Sequence, residues 1–319
     1  MLLVVGAAVS LGSSRSPVIV SPSPVSHSEV LATVPHAPLP TSEITAVVAP
    51  VEQTSEIEAS ASFNQFYLQQ FMLDLINADR VDQGLSPVVW DDTAACAGQT
   101  HAEEMVTNNY LSHWDIEGNG PDYRYTRAGG LNAVQENVYS WRQCYDDGSA
   151  VPVSDWEAVI REAQAALMES SGHRRNILNP LHTHVGIGVA YNATNGEFRV
   201  AQEFIGRYIQ LDPLPKQADL GGRLRVSGQV LVPVEEVLLN LAYEPFPTSM
   251  DVDVLNTTSM FQSPAQICDT MTMELSSDSR FSESLILDCQ GQAGRYHVLL
   301  WVETSQGQAL ATDVLLDVR

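Results

Sequence analysis

The sequence predicts an α+β chain in which a mixed α/β layer domain precedes a smaller all-β sandwich, and three patterns predict it. Apolar residues recur at helical spacing from Phe63 onward. Two alternating runs joined by Asn195-Gly196 close the same region as a hairpin. Beyond the proline hinge Leu211-Asp-Pro-Leu-Pro215 the helical period is lost and short alternating runs replace it.

Each element follows in order. Residues 1–13 are apolar but fall short of the roughly 20 that a membrane-spanning helix needs, so they read as the core of a signal peptide. The first basic residue is Arg15, which leaves that leader without its usual charged flank. Residues 14–62 are dominated by Pro, Ser, Thr, Val and Ala and read as an extended, mobile stalk, because such a stretch buries too little apolar surface to offset its ordering entropy. The α/β domain is expected over 63–208. Phe66, Phe71, Leu75 and Ile76 mark a first helix that Gly84 stops, and Val88-Val-Trp90 follows as a strand. Asp91 or Asp92 caps a second helix reaching about residue 109, with Ala95, Met105 and Val106 on its apolar face. Residues 115–130, rich in Gly and Asp, read as a loop. A Ser154/Glu157 capping box opens a third helix over 154–167, and the hairpin runs are 185–190 and 198–204. In 209–319, seven short strands are expected at 224–232, 237–243, 251–255, 270–275, 284–289, 296–302 and 310–318, the pattern of an immunoglobulin-like or fibronectin-like sandwich.

Composition excludes some partners. Asp and Glu outnumber Lys and Arg 39 to 16, a balance opposed to nucleic acid and to anionic membrane surfaces. No stretch is apolar for long enough to span a bilayer. Four cysteines in an exported chain point to disulfides. Cys268 and Cys289 are equidistant from a turn centred between Asp278 and Ser279, so a hairpin there would pair them; Cys96 and Cys144 are then left to each other.

Particular motifs say more than periodicity. In order they are Leu75-Ile-Asn77-Ala-Asp-Arg80, Gly84-Leu-Ser-Pro87-Val-Val-Trp90-Asp, Ala97-Gly-Gln-Thr-His101-Ala, Leu111-Ser-His113, Gln135-Glu136-Asn137-Val, Ser171-Gly-His173-Arg-Arg-Asn-Ile-Leu178 and Val185-Gly-Ile-Gly-Val189. Over 66–204 this series resembles the bacterial branch of the CAP superfamily, the cysteine-rich secretory and pathogenesis-related proteins. The resemblance implies an α-β-α sandwich with a solvent-open cleft lined by two histidines and two acids: His113, Glu136 and His173, with the fourth position near Met168-Glu169-Ser170. Glu169 is a weak match there, and Leu167 stands where the family has Trp.

Imidazoles and carboxylates around one cleft serve as metal ligands or as acid and base. His113 and His173 are the expected ligands of a divalent metal, zinc first. Glu136 either completes a His₂Glu set or orients a histidine as an outer partner. Alternatively the groups satisfy one another and brace the sandwich. His101 reads as a packed helix residue, while His182, His184 and His297 read as surface positions. No nucleophile motif occurs. The sequence thus reads as an extracellular or cell-surface binding protein for a small ligand, a lipid or an extracellular protein, with the β-sandwich as adhesion or spacer module. The rival readings are a metal-dependent hydrolase using His113, His173 and Glu136 around an activated water, and a lipid or sterol carrier.

Overall fold

Helix α1 (Gln65–Asp82) begins where Asn64 can cap it, the Asn64 Oδ1 accepting from Tyr67 N at 3.1 Å. The structure, a computed structural model, describes residues 62–258, 260–262 and 266–319. The expected leader at 1–13 lies outside the described residues, as does the expected stalk at 14–62 apart from its last residue. Leu68, Met72 and Ile76 form the buried stripe of α1, whereas Phe66, expected on that stripe, is exposed. Its helical spacing placed it a quarter-turn off the face that the sheet covers.

Strand β1 (Val89–Trp90) pairs in parallel with β3 (His184–Asn192). Asn77 clamps β1, donating to Val88 O at 3.0 Å and accepting from Val88 N at 2.8 Å. Asp91 caps α2 (Asp92–Asn108), accepting from Ala94 N at 2.7 Å. α3 (Pro121–Ala128) occupies the middle of the stretch expected to be a loop. Gly120 precedes it, Pro121 supplies the first helical residue, and Gly129 ends it at φ 105°, so short as it is, it carries both punctuation marks of a helix. β2 (Val134–Arg142) pairs antiparallel with β4 (Glu197–Ile205), which returns from β3 through Gly196. The sheet order is β1-β3-β4-β2, which leaves β2 at an edge. α4 (Trp156–Glu169) is capped by Asp155, one residue later than the expected box, and α5 (Ser171–Ile177) follows it.

Helices α1, α4 and α5 lie on one face of this sheet and α2 and α3 on the other. On the first face, Leu68, Met72, Ile160 and Leu167 pack with Ile187, Phe198, Val200 and Phe204. On the second, α2 lies so close that a Cβ on Gly186 would fall 1.9 Å from Ala95 N, and one on Gly188 would fall 2.2 Å from the Gly98 carbonyl carbon. The Val-Gly-Ile-Gly-Val run is therefore a seat for the helix.

The rest of the chain is β-rich: β5 (Ile209–Leu211), β6 (Gln217–Ala218), β7 (Arg223–Val230), β8 (Glu236–Glu244), β9 (Gln266–Glu274), β10 (Arg280–Ile286), β11 (Gly294–Thr304) and β12 (Gly307–Val318). They form a three-stranded sheet, β10-β7-β5, and a five-stranded sheet, β6-β12-β11-β8-β9. Leu224, Val226, Phe281 and Leu285 of the first share one core with Leu239, Leu241, Val298, Leu300 and Leu316 of the second. The strand expected at 251–255 is instead a short helix, α6 (Val252–Leu255).

Cys268 and Cys289 are disulfide-bonded with Cα atoms 5.2 Å apart. The expected hairpin is nevertheless absent: β9 pairs with β8 and β10 with β7, in different sheets. The bond joins the start of one sheet's edge strand to the turn before β11. Cys96 and Cys144, expected to pair, are both free and exposed. α2 buries Ala94, Ala95, Ala97 and Gly98 against the sheet, which turns Cys96 toward solvent.

The β-rich region also holds the α/β region directly. Arg295 Nη2 donates to Asn119 Oδ1 at 2.5 Å, Leu315 N to Thr126 Oγ1 at 3.4 Å, and Ala133 N to Ala311 O at 3.2 Å. The β8–β9 connection runs along the loop after α2, with Asn256 Oδ1 accepting from Leu111 N at 3.0 Å and Trp114 ringed against Phe261 at 5.0 Å.

Replacing Gly188 by Val should cost the upper part of the ~1–3 kcal/mol that overpacking costs, read as a lower urea midpoint, because the obstruction is backbone. An unchanged midpoint would contradict the close seat of α2.

Candidate functional site

Because β2 is an edge strand, groups on both faces of the sheet can meet beside it. Successive side chains of a strand point to opposite faces, and the pair Glu136-Asn137 uses that alternation. Glu136 faces the α2/α3 layer. Its Oε1 accepts from His113 Nδ1 at 2.7 Å and its Oε2 from Arg124 Nη2 at 2.7 Å. Asn137 faces the α4/α5 layer, donating to His173 O at 3.3 Å and accepting from Asn176 Nδ2 at 3.0 Å. Arg124 also ties down the loop that carries His113, donating to His113 O at 2.8 Å and Asn119 O at 3.0 Å. The neighbouring His101 donates from Nε2 to Ser112 O at 2.8 Å.

The resemblance implied an open cleft, yet the exposures of His113, Glu136 and His173 are 1%, 2% and 0%. Glu136 thus places one oxygen on His113 and the other on Arg124. The bond from His113 Nδ1 leaves the lone pair on Nε2, and that atom is buried with no hydrogen-bond partner. Both ring nitrogens of His173 are likewise unpartnered.

Electrostatics follow from burial. Burial opposes the charge on Glu136, but Arg124, His101 and His113 outweigh it and hold the carboxyl well below the usual range. Glu203, directly across from Glu136 in the strand register, is pushed well above its usual range by burial and by the Glu136 charge. The two carboxyls therefore divide: Glu136 is the ionised member and Glu203 the protonated one. Burial, and then His113, lowers His173 to about 4. Burial, and then Arg124, lowers His101 to about 3.

Glu169 is exposed at the end of α4 and takes no part in the cluster. His101 is packed, as its helical position suggests. His182, expected at the surface, is buried: it donates from Nε2 to Asn176 Oδ1 at 2.9 Å and stacks on Phe204. Arg80 explains why, gathering Ile177 O, Asn179 O and His182 O around its guanidinium. His297, also expected at the surface, is fully buried against Asp313 and Asp122. Its strand alternates as expected, but α3 covers the outer face. Arg124 and Glu203 join the cluster without a local sequence signal: β4 also carries Glu197, Arg199 and Gln202, so a charge at Glu203 does not stand out.

A family model, described as the cysteine-rich secretory protein family, CAP, matches residues 73–204. Residues 73–204 are a CAP domain. The YkwD protein of Bacillus subtilis (strain 168) is 29% identical over 161 residues, half of this chain and 54% of YkwD. The membrane protein YlbC of the same strain is 34% identical over 120 residues, 37% of this chain and 30% of YlbC. The chain thus spans about half the length of YkwD and under a third of YlbC. Among solved structures, an extracellular protein containing an SCP domain from Bacillus anthracis is 28% identical, with a TM-score of 0.36, covering 45% of this chain and 41% of that one. The CAP match takes in all the motifs from Asn77 to His173 and ends at Phe204, the residue after Glu203. No helix among the described residues is long and apolar enough to cross a membrane.

Two predictions concern the CAP domain itself. Glu136→Gln leaves Arg124 buried without its counter-charge and should cost about 3–5 kcal/mol by chemical denaturation, the usual loss when one partner of a buried pair is removed. Burial and Arg80 lower His182 from 6.5 to about 3, so the folded protein favours the neutral ring. Its contribution is complete above pH 6.5 and is lost as pH falls toward 3. Unfolding curves between those limits should show a shallower acid loss for His182→Gln than for the unsubstituted chain; parallel losses would contradict the assignment.

Proposed function

We propose that this is an exported binding protein whose CAP domain holds a divalent cation, zinc first, between His113 and His173. The observation that carries the reading is the set of buried ring nitrogens, His113 Nε2 and both of His173, that lack hydrogen-bond partners. A buried polar atom left unpaired is costly, and a lone-pair nitrogen backed by a carboxylate on its other side is the arrangement of a metal-ligating histidine. Glu136 would orient His113, and Arg124 would keep Glu136 ionised. The ion would supply a Lewis-acidic centre. With both Glu136 oxygens held by protein donors, Glu136 is not free to serve as a general base, which favours binding over turnover. Export is supported by the apolar residues 1–13 and the Cys268–Cys289 disulfide. The β-rich region at 209–319, two sheets on one core, serves in this reading as an immunoglobulin-like adhesion or spacer module that presents the CAP domain to a small ligand, a lipid or an extracellular protein.

Two imidazoles alone bind modestly, so calorimetric titration of zinc should give a dissociation constant on the order of micromolar to millimolar at this site. His113→Ala and His173→Ala should each remove most of that binding, while His182→Gln should not. If the two substitutions lower the melting temperature and leave zinc uptake untouched, the groups brace the domain and the reading is wrong.

A further inference from the structure

A second buried cluster lies where the CAP domain meets the β-rich region. We propose that Asp122, His297 and Asp313 form a divalent-cation site that fastens α3 of the CAP domain to strands β11 and β12. Each residue comes from a different element, and one ligand atom from each lies within 4.8 Å of the other two. His297 Nδ1 is 2.8 Å from Asp313 Oδ1 and 3.9 Å from Asp122 Oδ2. Donors at zinc distances of about 2.0–2.2 Å sit roughly 3.4 Å from each other around a tetrahedral ion, a value between the 2.8 and 3.9 Å that His297 Nδ1 makes to the two carboxylates.

Charge is the independent observation. Around the three residues lie Glu244, with Oε1 3.7 Å from His297 Nε2, and Arg295, whose Nε is 3.6 Å from Asp317 Oδ1. Arg295 itself is held in place over the Tyr123 ring, 3.4 Å from its centroid. Among these side chains four carboxylates face one guanidinium and one imidazole, and all but Glu244 are 9% exposed or less. His297 Nε2, Arg295 Nε and Asp317 Oδ1 have no hydrogen-bond partner. A buried surplus of negative charge calls for a cation.

One imidazole with two carboxylates suits zinc or another first-row transition ion, whereas magnesium and calcium favour all-oxygen shells. The half-covered Glu244 marks the side from which an ion could enter. Since helix and strands would share one ion, its binding would stiffen the joint between the two parts of the chain.

Zinc binding by the full chain carrying His113→Ala and His173→Ala, after stripping with a chelator, tests this apart from the site proposed above. Equilibrium dialysis should find one zinc per chain, and zinc should raise the melting temperature by several degrees. Asp122→Asn and Asp313→Asn, added singly, should each weaken binding by at least the ~10–100-fold that loss of even an outer-shell partner brings. In the unsubstituted protein, which needs no variant to fold, zinc should move the NMR signals of the His297 ring, assigned with His297→Gln. A doubly substituted chain that takes up no zinc would overturn the proposal. So would a His297 ring unmoved at saturating zinc, or binding that survives both Asp substitutions.

Discussion

Glu136 is an ionised carboxylate with almost no contact with water, and such a charge persists only where the protein supplies its counter-charges and donors. His113 supplies one donor and Arg124 the other, each at 2.7 Å. The geometry of the site depends on this contact. It sets the tautomer of His113, so that Nε2 and not Nδ1 carries the free lone pair. It anchors the loop bearing His113, because Arg124 also grips that loop's carbonyls. It leaves the proton of the carboxyl pair on Glu203. Arg124 in turn stands on α3, a two-turn helix of the kind that is marginal by itself.

Tertiary contacts stabilise α3 from two sides: Tyr125 packs with Ala94, Ala97 and Ile205 inside the CAP domain, and other contacts come from outside it. Thr126 meets the backbone of β12, Asn119 meets Arg295, and Tyr123 lies under the same guanidinium. The chain of dependence therefore runs from β11 and β12 through α3 to Arg124, then to Glu136 and His113. The CAP site and the β-rich region are joined by packed side chains, and the buried charge around His297 lies at the joint. This also accounts for the double-sided burial of β11, whose inner residues Tyr296, Val298 and Leu300 enter the sandwich core while Arg295 and His297 turn toward α3.

Much of the architecture was legible from short stretches of sequence. Asp91 caps α2 by a contact spanning three residues, and Asn195-Gly196 turns β3 into β4. The paired glycines 186 and 188 mark where a helix must lie against the sheet, although only the structure names α2 as that helix. The motif order also marked His113, Glu136 and His173 as candidate site residues. Their partners were less legible. Arg124 looked like part of a loop, Glu203 like one charge in a strand, and His182 like a surface turn, because nothing within a few residues of each shows what packs against it.

The sequence alone determined what local physical chemistry can encode: helix starts, the hairpin turn, the change from helical to alternating period at the proline hinge, and the motif series that singles out one half of the chain. Tertiary structure decided whatever depends on which surface covers which. Alternation predicted two faces for β11, but only the arrival of α3 made the outer one a buried charge cluster. The spacing of Cys268 and Cys289 fitted a hairpin, yet their strands joined different sheets and the bond formed across them. Cys96 and Cys144 were matched by elimination, and α2 turned one of them to solvent. A period of two or of 3.6 residues fixes where a side chain points along its own element, while its environment is set by elements distant in sequence, whose approach leaves no local trace.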